Sequence, residues 1–191
     1  CILLLASCTG ASEKRSRVLK VYNWADYIDE EVLAEFPVWY KEQTGEDIRI
    51  IYQVFDINEI MLTKIERGQE DFDLVCPSEY IIERMLKKDL LLPINRNFGK
   101  TPDYIPNISP YIQKELEKIS QPGRHTNDYV VPYMWGTAGI LYNKKFKTLE
   151  EVSSWGCLWD AVNRGKILMK DSYRDAYGTA IIYAHARQLA D

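Results

Sequence analysis

The sequence predicts an α/β fold, and three observations support this class. Apolar runs typical of strands alternate with segments of helical spacing through residues 18–88. The order strand, helix, strand, helix, strand, helix favours a parallel, doubly wound sheet. A later apolar stretch, residues 129–142, is broken by Pro132, Gly136 and Gly139, as expected where a chain crosses between two lobes.

The first strand is predicted at residues 18–22, the second at 48–55 and the third at 72–76. The second run has branched residues on both sides of its alternation. This pattern predicts a strand that is buried on both faces.

The first helix is predicted to begin at the acidic segment Asp29–Glu31, because a helix N-terminus favours negative charge. It should run to Thr44, with a kink or a fresh start at Pro37, and end at Gly45.

Two more helices are predicted in the first part of the chain. Asp56 and Glu59 have the spacing of a capping box for a helix over residues 57–67. Ser78 is placed to cap a helix over residues 79–88. Later segments predict helices over 109–119, 150–162 and 172–189, and a strand over 167–170.

The N-terminal residues predict export and anchoring rather than folded structure. Residues 1–8 form an apolar run typical of the end of a secretory signal, and the four residues ending at Cys8 resemble the bacterial lipobox. A lipid on Cys8 would anchor the protein to a membrane of the cell envelope. Residues 9–17 would be a tether, 18–134 a first α/β lobe, and 135–191 a hinge strand with the start of a second lobe.

Composition and motifs disfavour several classes of protein. The net charge of −4 disfavours nucleic acid, whose binding depends on basic residues. His125 and His185 are too far apart in sequence for a metal-ligand spacing. No nucleophile, base and orienting group form a recognisable set. The chain is therefore predicted to be neither an enzyme nor a cofactor protein.

Three predicted strand ends carry polar and aromatic residues together, in the segments Trp24–Tyr27, Ser78–Tyr80 and Asp171–Asp175. Ligands of open α/β sheets bind at the carboxyl ends of the strands. A helix cap or loop role explains any one of these residues. Together, their carboxylates and aromatic faces suit an organic cation.

Five segments, in order, resemble the spermidine/putrescine-binding proteins of bacterial ABC importers: Tyr22–Tyr27, Phe72–Ser78, Val131–Gly136, Ser154–Trp159 and Asp171–Tyr177. The resemblance implies the two-lobed periplasmic-binding-protein fold, with a hinge and a cleft that closes on a polyamine. Family members are considerably longer, so the second lobe is expected to be incomplete in this chain.

The resemblance also implies a set of ligand residues. Trp24 and Tyr27 match aromatic walls of the cleft, and Asp26 matches an acid between them. The remaining matches are Ser78, Tyr80, Asp171, Ser172 and Asp175. Two positions depart from the family pattern. Ala25 stands where the family usually has a hydroxyl, and Ser172 stands where a spermidine-binding relative has an acid, although Asp171 of this chain is adjacent. The resemblance therefore leaves open which polyamine is bound.

The function implied is capture of putrescine or spermidine outside the cytoplasm and delivery to a membrane permease, with no cofactor and no metal. Two alternatives stay open. The same scaffold could bind another organic cation or a chelate, or it could be a sensory lipoprotein that imports nothing.

Overall fold

The computed structural model describes residues 15–68 and 70–185, which fold as two compact units. The first unit ends at Met134 and the second begins at Trp135. All the β-strands of the described residues lie in the first unit.

The first unit is built on a three-stranded parallel sheet. Its strands are β1 (Val18–Trp24), β2 (Arg49–Phe55) and β3 (Leu74–Val75), in the spatial order β2-β1-β3. Trp24 at the end of β1 pairs with Phe55 at the end of β2. The predicted α/β class with a parallel sheet is confirmed, and β1 is the central strand.

The described residues contain four α-helices in the first unit, α1 (Glu30–Thr44), α2 (Asn58–Glu66), α3 (Glu79–Lys87) and α4 (Pro110–Glu117), and one in the second unit, α5 (Tyr173–His185). Helix α1 begins where the Asp29 carboxylate accepts the Glu31 N–H at 3.0 Å. It ends at Gly45, whose φ of 79° is the left-handed conformation that glycine adopts without strain. The helix is continuous through Pro37, so the predicted alternative of a fresh start there is wrong.

The core of the first unit lies between the sheet and helices α2 and α3. Its buried members are Tyr22, Phe55, Met61, Leu62, Ile81 and Met85. The Tyr22 ring stacks on the Phe72 ring at 4.4 Å and meets the Phe55 ring edge-on at 5.0 Å. Aromatic pairs of this geometry add to the stabilisation from burial.

An ionic cluster connects the start of the first unit to the segment before β3. Residues 15–17 form a short 3-10 helix, and the Arg15 guanidinium lies 2.6 Å from Asp71 and 3.0 Å from Asp73. Hydrogen bonds from Lys20 and Arg15 hold the pKa of the Asp71 carboxyl well below its usual range. The last residues of the predicted tether are therefore structured.

Two predictions about β2 and α2 are wrong. Phe55 is the one fully buried residue of strand β2 and the Val54 side chain is exposed, so the strand is not buried on both faces. A branched run predicts burial on both faces only where other elements cover each face. Helix α2 has Ile57 as its N-cap residue, without a side-chain hydrogen bond, so Asp56 and Glu59 form no capping box. The Glu59 carboxylate instead accepts a hydrogen bond from Tyr80.

The helix predicted over 150–162 is replaced by three short 3-10 helices, at Glu150–Val152, Trp155–Trp159 and Ala161–Asn163. The Ser154 hydroxyl accepts the Gly156 N–H, and the Asp160 carboxylate accepts the Val162 N–H. Such local bonds compete with the i to i−4 bonds of an α-helix. Each of these side chains therefore begins a new turn.

The strands predicted within 129–142 and at 167–170 are also wrong for the described residues, where both segments are irregular. A strand requires a hydrogen-bonded neighbour. Pro132 lacks the N–H that pairing needs, and no paired strand lies beside either segment in the described chain.

Some predictions fall on residues that the structure does not describe. They are the signal and lipobox with Cys8, most of the tether, and the end of the last helix beyond His185. Among the described helices, none is both long enough and apolar enough to cross a membrane.

The burial pattern of α2 gives a stability prediction. Met61 has no exposed surface, while its neighbour Ile60 is 62% exposed. We expect Met61→Ala to lower the free energy of unfolding by about 2–4 kcal/mol, because it removes buried methylenes and leaves a cavity. The matched control Ile60→Ala should change it by less than about 0.5 kcal/mol. Urea denaturation of both variants tests this, and equal losses would contradict the assigned core.

Candidate functional site

The predicted ligand residues of the first unit lie at the carboxyl end of its parallel sheet. Trp24 is the last residue of β1, and Ser78 follows the end of β3 by three residues. The register pairs Tyr22 with Val75, so both strands end at the same edge. The sheet thereby brings Trp24, Asp26, Tyr27, Ser78 and Tyr80 to one side of the unit, which is where ligands of open α/β sheets bind.

Trp24 offers an aromatic surface that the core supports from behind. Its half-buried ring lies 4.6 Å from the Phe55 ring, at an interplanar angle of 49°. The Tyr27 ring is 6.3 Å away and tilted by 44°, and 45% of Tyr27 is exposed. The two rings therefore stand next to each other, with Tyr27 the more open to solvent.

Asp26 lies between these two aromatic residues in a strained turn. Its φ is +58°, in the left-handed region that aspartate and asparagine tolerate better than most residues. The side chain is exposed, and within residues 15–68 and 70–185 it forms no hydrogen bond or ion pair. The carboxylate is therefore open to solvent in the turn that also carries Trp24 and Tyr27, and backbone strain of this kind is common at functional sites.

Two tyrosines that the sequence interpretation missed hold the backbone of this turn. The Tyr133 hydroxyl donates to the Tyr27 carbonyl, and the Tyr52 hydroxyl reaches the Trp24 carbonyl at 3.5 Å. Burial raises the pKa of both phenols, so both remain protonated donors at neutral pH. Tyr133 is 106 positions from Tyr27 in sequence, and no local pattern signals such a pair.

Asn23 lies near the end of β1, just before the turn that holds Asp26, and it is only 4% exposed. Its side-chain oxygen accepts the Trp24 N–H at 2.8 Å. Next to it on the sheet, the Cys76 N–H donates to the Tyr22 carbonyl, and burial raises the pKa of the Cys76 thiol. The thiol is therefore neutral at physiological pH and acts as a small packing group.

Ser78 and Tyr80 are linked to each other through Asn58, a second residue that the sequence interpretation missed. Asn58 donates to the Ser78 hydroxyl and to the Tyr80 hydroxyl, both at 2.9 Å. Ser78 occupies the N-cap position of α3 as predicted, but its hydroxyl makes no capping hydrogen bond. The hydroxyl is engaged by Asn58 instead.

The second unit holds the other predicted ligand residues, at the start of α5. The Ser172 hydroxyl accepts the Asp175 N–H at 3.3 Å, and the exposed Asp171 precedes it. The Asp175 carboxylate lies 2.9 Å from the Lys170 ammonium. Hydrogen bonding to Lys170 lowers the pKa of this carboxyl, with smaller contributions from Ser172 and Arg174. Asp175 is therefore ionised at neutral pH, and it is already paired with the side-chain ammonium of Lys170.

Metal binding finds no support in the described residues, where no group of three or more histidine, cysteine or acidic side chains is arranged to hold an ion. At the carboxyl end of the parallel sheet in the first unit, the candidate residues supply aromatic rings, a carboxylate and hydroxyls. This combination in an α/β fold is typical of a protein that binds a small organic solute.

The chain belongs to the family of bacterial extracellular solute-binding proteins, whose sequence profile matches residues 23–162. This membership confirms the prediction of a solute-binding protein and not an enzyme.

The chain is also similar in sequence to individual members of this family. The chain is 32% identical over 190 residues to the putrescine-binding periplasmic protein PotF of Escherichia coli, in an alignment that covers 94% of this chain and 48% of the relative. It is 28% identical over 179 residues to the spermidine/putrescine-binding periplasmic protein of the same bacterium, with coverage of 93% and 47%. The chain thus spans about half the length of these relatives.

A solved structure supports the fold. The spermidine/putrescine ABC transporter substrate-binding protein PotD of Streptococcus pneumoniae superposes with a TM-score of 0.58 at 37% identity. The match covers 76% of this chain and 40% of that one. The predicted periplasmic-binding-protein fold is confirmed, and this chain spans only part of the length of that relative.

The Lys170–Asp175 pair gives a titration prediction. Because Lys170 lowers the pKa of the Asp175 carboxyl, the attraction is present at neutral pH and is lost as the pH falls through that lowered pKa. We expect Lys170→Gln to raise the Asp175 pKa towards its ordinary value of 3.8. The control Lys166→Gln removes a charge from the same segment and should leave it unchanged. Carboxyl NMR titration checks both, and an unmoved Asp175 in Lys170→Gln would refute the pairing.

Proposed function

We propose that the protein captures a polyamine, putrescine or spermidine, outside the cytoplasm, as the solute-binding component of an ABC importer. The observation that carries this proposal is an exposed acid, Asp26, in the same short turn as Trp24 and Tyr27, whose rings lie 6.3 Å apart. A carboxylate accepts the N–H bonds of an ammonium, and aromatic faces attract its positive charge. The named substrates of the relatives are polyamines, which have this chemistry.

The proposed ligand residues divide by role. Trp24 and Tyr27 would stack on the methylene chain, and Asp26 would pair with one ammonium. Ser78 and Tyr80 would accept hydrogen bonds from the same side of the ligand. In the second unit, Asp171, Ser172 and Asp175 would bind an ammonium of the ligand.

Asp175 has a particular place in this scheme. Its carboxylate is already bound to the Lys170 ammonium at 2.9 Å. A primary ammonium of the ligand carries the same charge and the same N–H donors as Lys170. It would therefore replace or share that partner, while the solvent-exposed Asp26 has no protein cation to displace among the described residues.

The proposed organisation follows the two compact units. Residues 18–134 would form the first lobe, and residues 135–191 the hinge segment and the start of the second. A ligand that contacts both lobes only in the closed state would shift the hinge towards closure. The closed protein would then dock on a membrane permease.

Anchoring is a further part of the proposal. The segment that ends at Cys8 has the lipobox pattern, and a lipid there would hold the protein at the membrane, close to its permease. Residues 1–8 would be the end of a signal peptide, and residues 9–17 the tether.

A second candidate is a ligand of related chemistry, another organic cation. Ala25 and Ser172 favour this candidate, because Ala25 stands where the polyamine-binding family usually has a hydroxyl and Ser172 stands where a spermidine-binding relative has an acid. The carboxylates and aromatic rings serve any alkylammonium, whereas these two positions would adjust the choice among them.

Calorimetry tests the proposed function. The full-length mature protein should bind at least one of putrescine, spermidine and spermine. If it binds none of the three, the polyamine assignment is refuted. Trp24→Ala should weaken binding by about 1–2 kcal/mol, because it removes a cation–π and stacking surface. Trp24→Phe should retain most of the affinity. Tyr111→Ala, which changes an exposed tyrosine of α4, should bind as the wild type does.

A further inference from the structure

The side chain of Asn58 is a buried polar group at the N-terminus of α2, and only 5% of the residue is exposed. Its amide nitrogen donates to the hydroxyls of Ser78 and Tyr80, at 2.9 Å each. Its oxygen accepts the backbone N–H of Ser78 at 3.2 Å. Buried amides are stable only when their donors and acceptors are paired, and Asn58 meets this condition.

The backbone bond fixes which way the amide points. A backbone N–H can only donate, so the atom of Asn58 that faces it must be the oxygen. The NH₂ group therefore faces the two hydroxyls, and each hydroxyl oxygen accepts one of its hydrogens. An amide flipped by 180° would set the NH₂ group against the Ser78 N–H, donor against donor.

Glu59 fixes the proton of the second hydroxyl. The Tyr80 phenol donates to a Glu59 carboxylate oxygen at 3.0 Å. A phenol has one proton, and an ionised carboxylate is an acceptor only. Because the Tyr80 proton is directed to Glu59, the Tyr80 oxygen can only accept a hydrogen bond from any other partner. A hydrogen bond to a charged acceptor also polarises the phenol and makes its oxygen a stronger acceptor.

We propose that Asn58 and Glu59 are positioning residues that set the hydrogen-bond polarity of the Tyr80 hydroxyl at the Ser78–Tyr80 side of the candidate site. Resting on the polyamine function proposed above, this assigns the Tyr80 oxygen to groups that donate N–H bonds, such as a primary ammonium. It also makes Tyr80 a poor donor to an anion. A carboxylate or phosphate would need a donor from Tyr80, and that proton is held by a neighbouring negative charge.

The network separates two tasks. Asp26 supplies charge from an exposed turn, whereas Asn58 and Glu59 act from behind, through the hydroxyls that would contact the ligand. Removal of the Glu59 charge should therefore weaken binding only when the Tyr80 oxygen is present. A direct long-range attraction between Glu59 and the cation would not depend on that oxygen, and a purely structural role of the Tyr80–Glu59 bond would lower thermal stability as well as affinity.

A double-mutant cycle on the full-length mature protein tests this, with the diamine putrescine and the triamine spermidine as probes. Glu59→Gln should weaken binding of the tighter probe about tenfold in the wild-type background, the loss expected for a charge-assisted hydrogen bond. In the Tyr80→Phe background the same change should have an effect of less than about twofold. Thermal unfolding of each variant shows whether the fold is retained.

The control is Glu66→Gln, which removes the same charge from the other end of α2, where Glu66 pairs with the Lys88 ammonium at 2.5 Å. It should change affinity by less than about twofold, because exposed charges are screened by solvent. Equal losses from Glu59→Gln with and without the Tyr80→Phe change would overturn the positioning role while leaving the polyamine function intact. A wild-type protein that binds neither probe would overturn both.

Discussion

Pairing of the central strand β1 on both sides is the constraint on which the described site depends. Hydrogen bonds to β2 and β3 fix where β1 ends, and its last residue is Trp24. The Tyr22 carbonyl, two residues earlier, accepts the Cys76 N–H, so the segments that follow β1 and β3 leave the sheet side by side. Burial of Tyr22 between Phe55 and Phe72 stabilises this arrangement from beneath. A displacement of β1 by one residue would turn Trp24 to the opposite face of the sheet.

The sequence was informative wherever a local pattern had a local cause. Asp29 and Gly45 delimit α1 because capping and left-handed glycine are properties of a few consecutive residues. The segment 150–162 was predicted wrongly because Ser154 and Asp160 form local turns in competition with a helix. Tyr133 and Asn58 could not be predicted, since their partners lie far away in sequence and only the completed fold brings them together.

The described carboxylates illustrate how one side chain can have different roles. Asp26 is exposed and has no protein cation in the described part of the chain, Asp175 is paired with Lys170, and Glu59 is bonded to a phenol. Asp71 is held by Arg15 and Lys20 and serves the fold. Composition alone counts these four as equal charges. Their partners distinguish a carboxylate that is open to solvent from those already engaged by a cation or a phenol.

The left-handed backbone at Asp26 limits how the candidate site can change over evolution. Among the two acidic residues, aspartate accepts a φ of +58° more readily than glutamate does. A mutation to the longer acid would therefore have a conformational cost as well as moving the charge. Descendants of this sequence that adapt to ligands of another length would be expected to vary other positions first. The turn after β1 would then change slowly, while residues on regular backbone, such as Ser172, drift more freely.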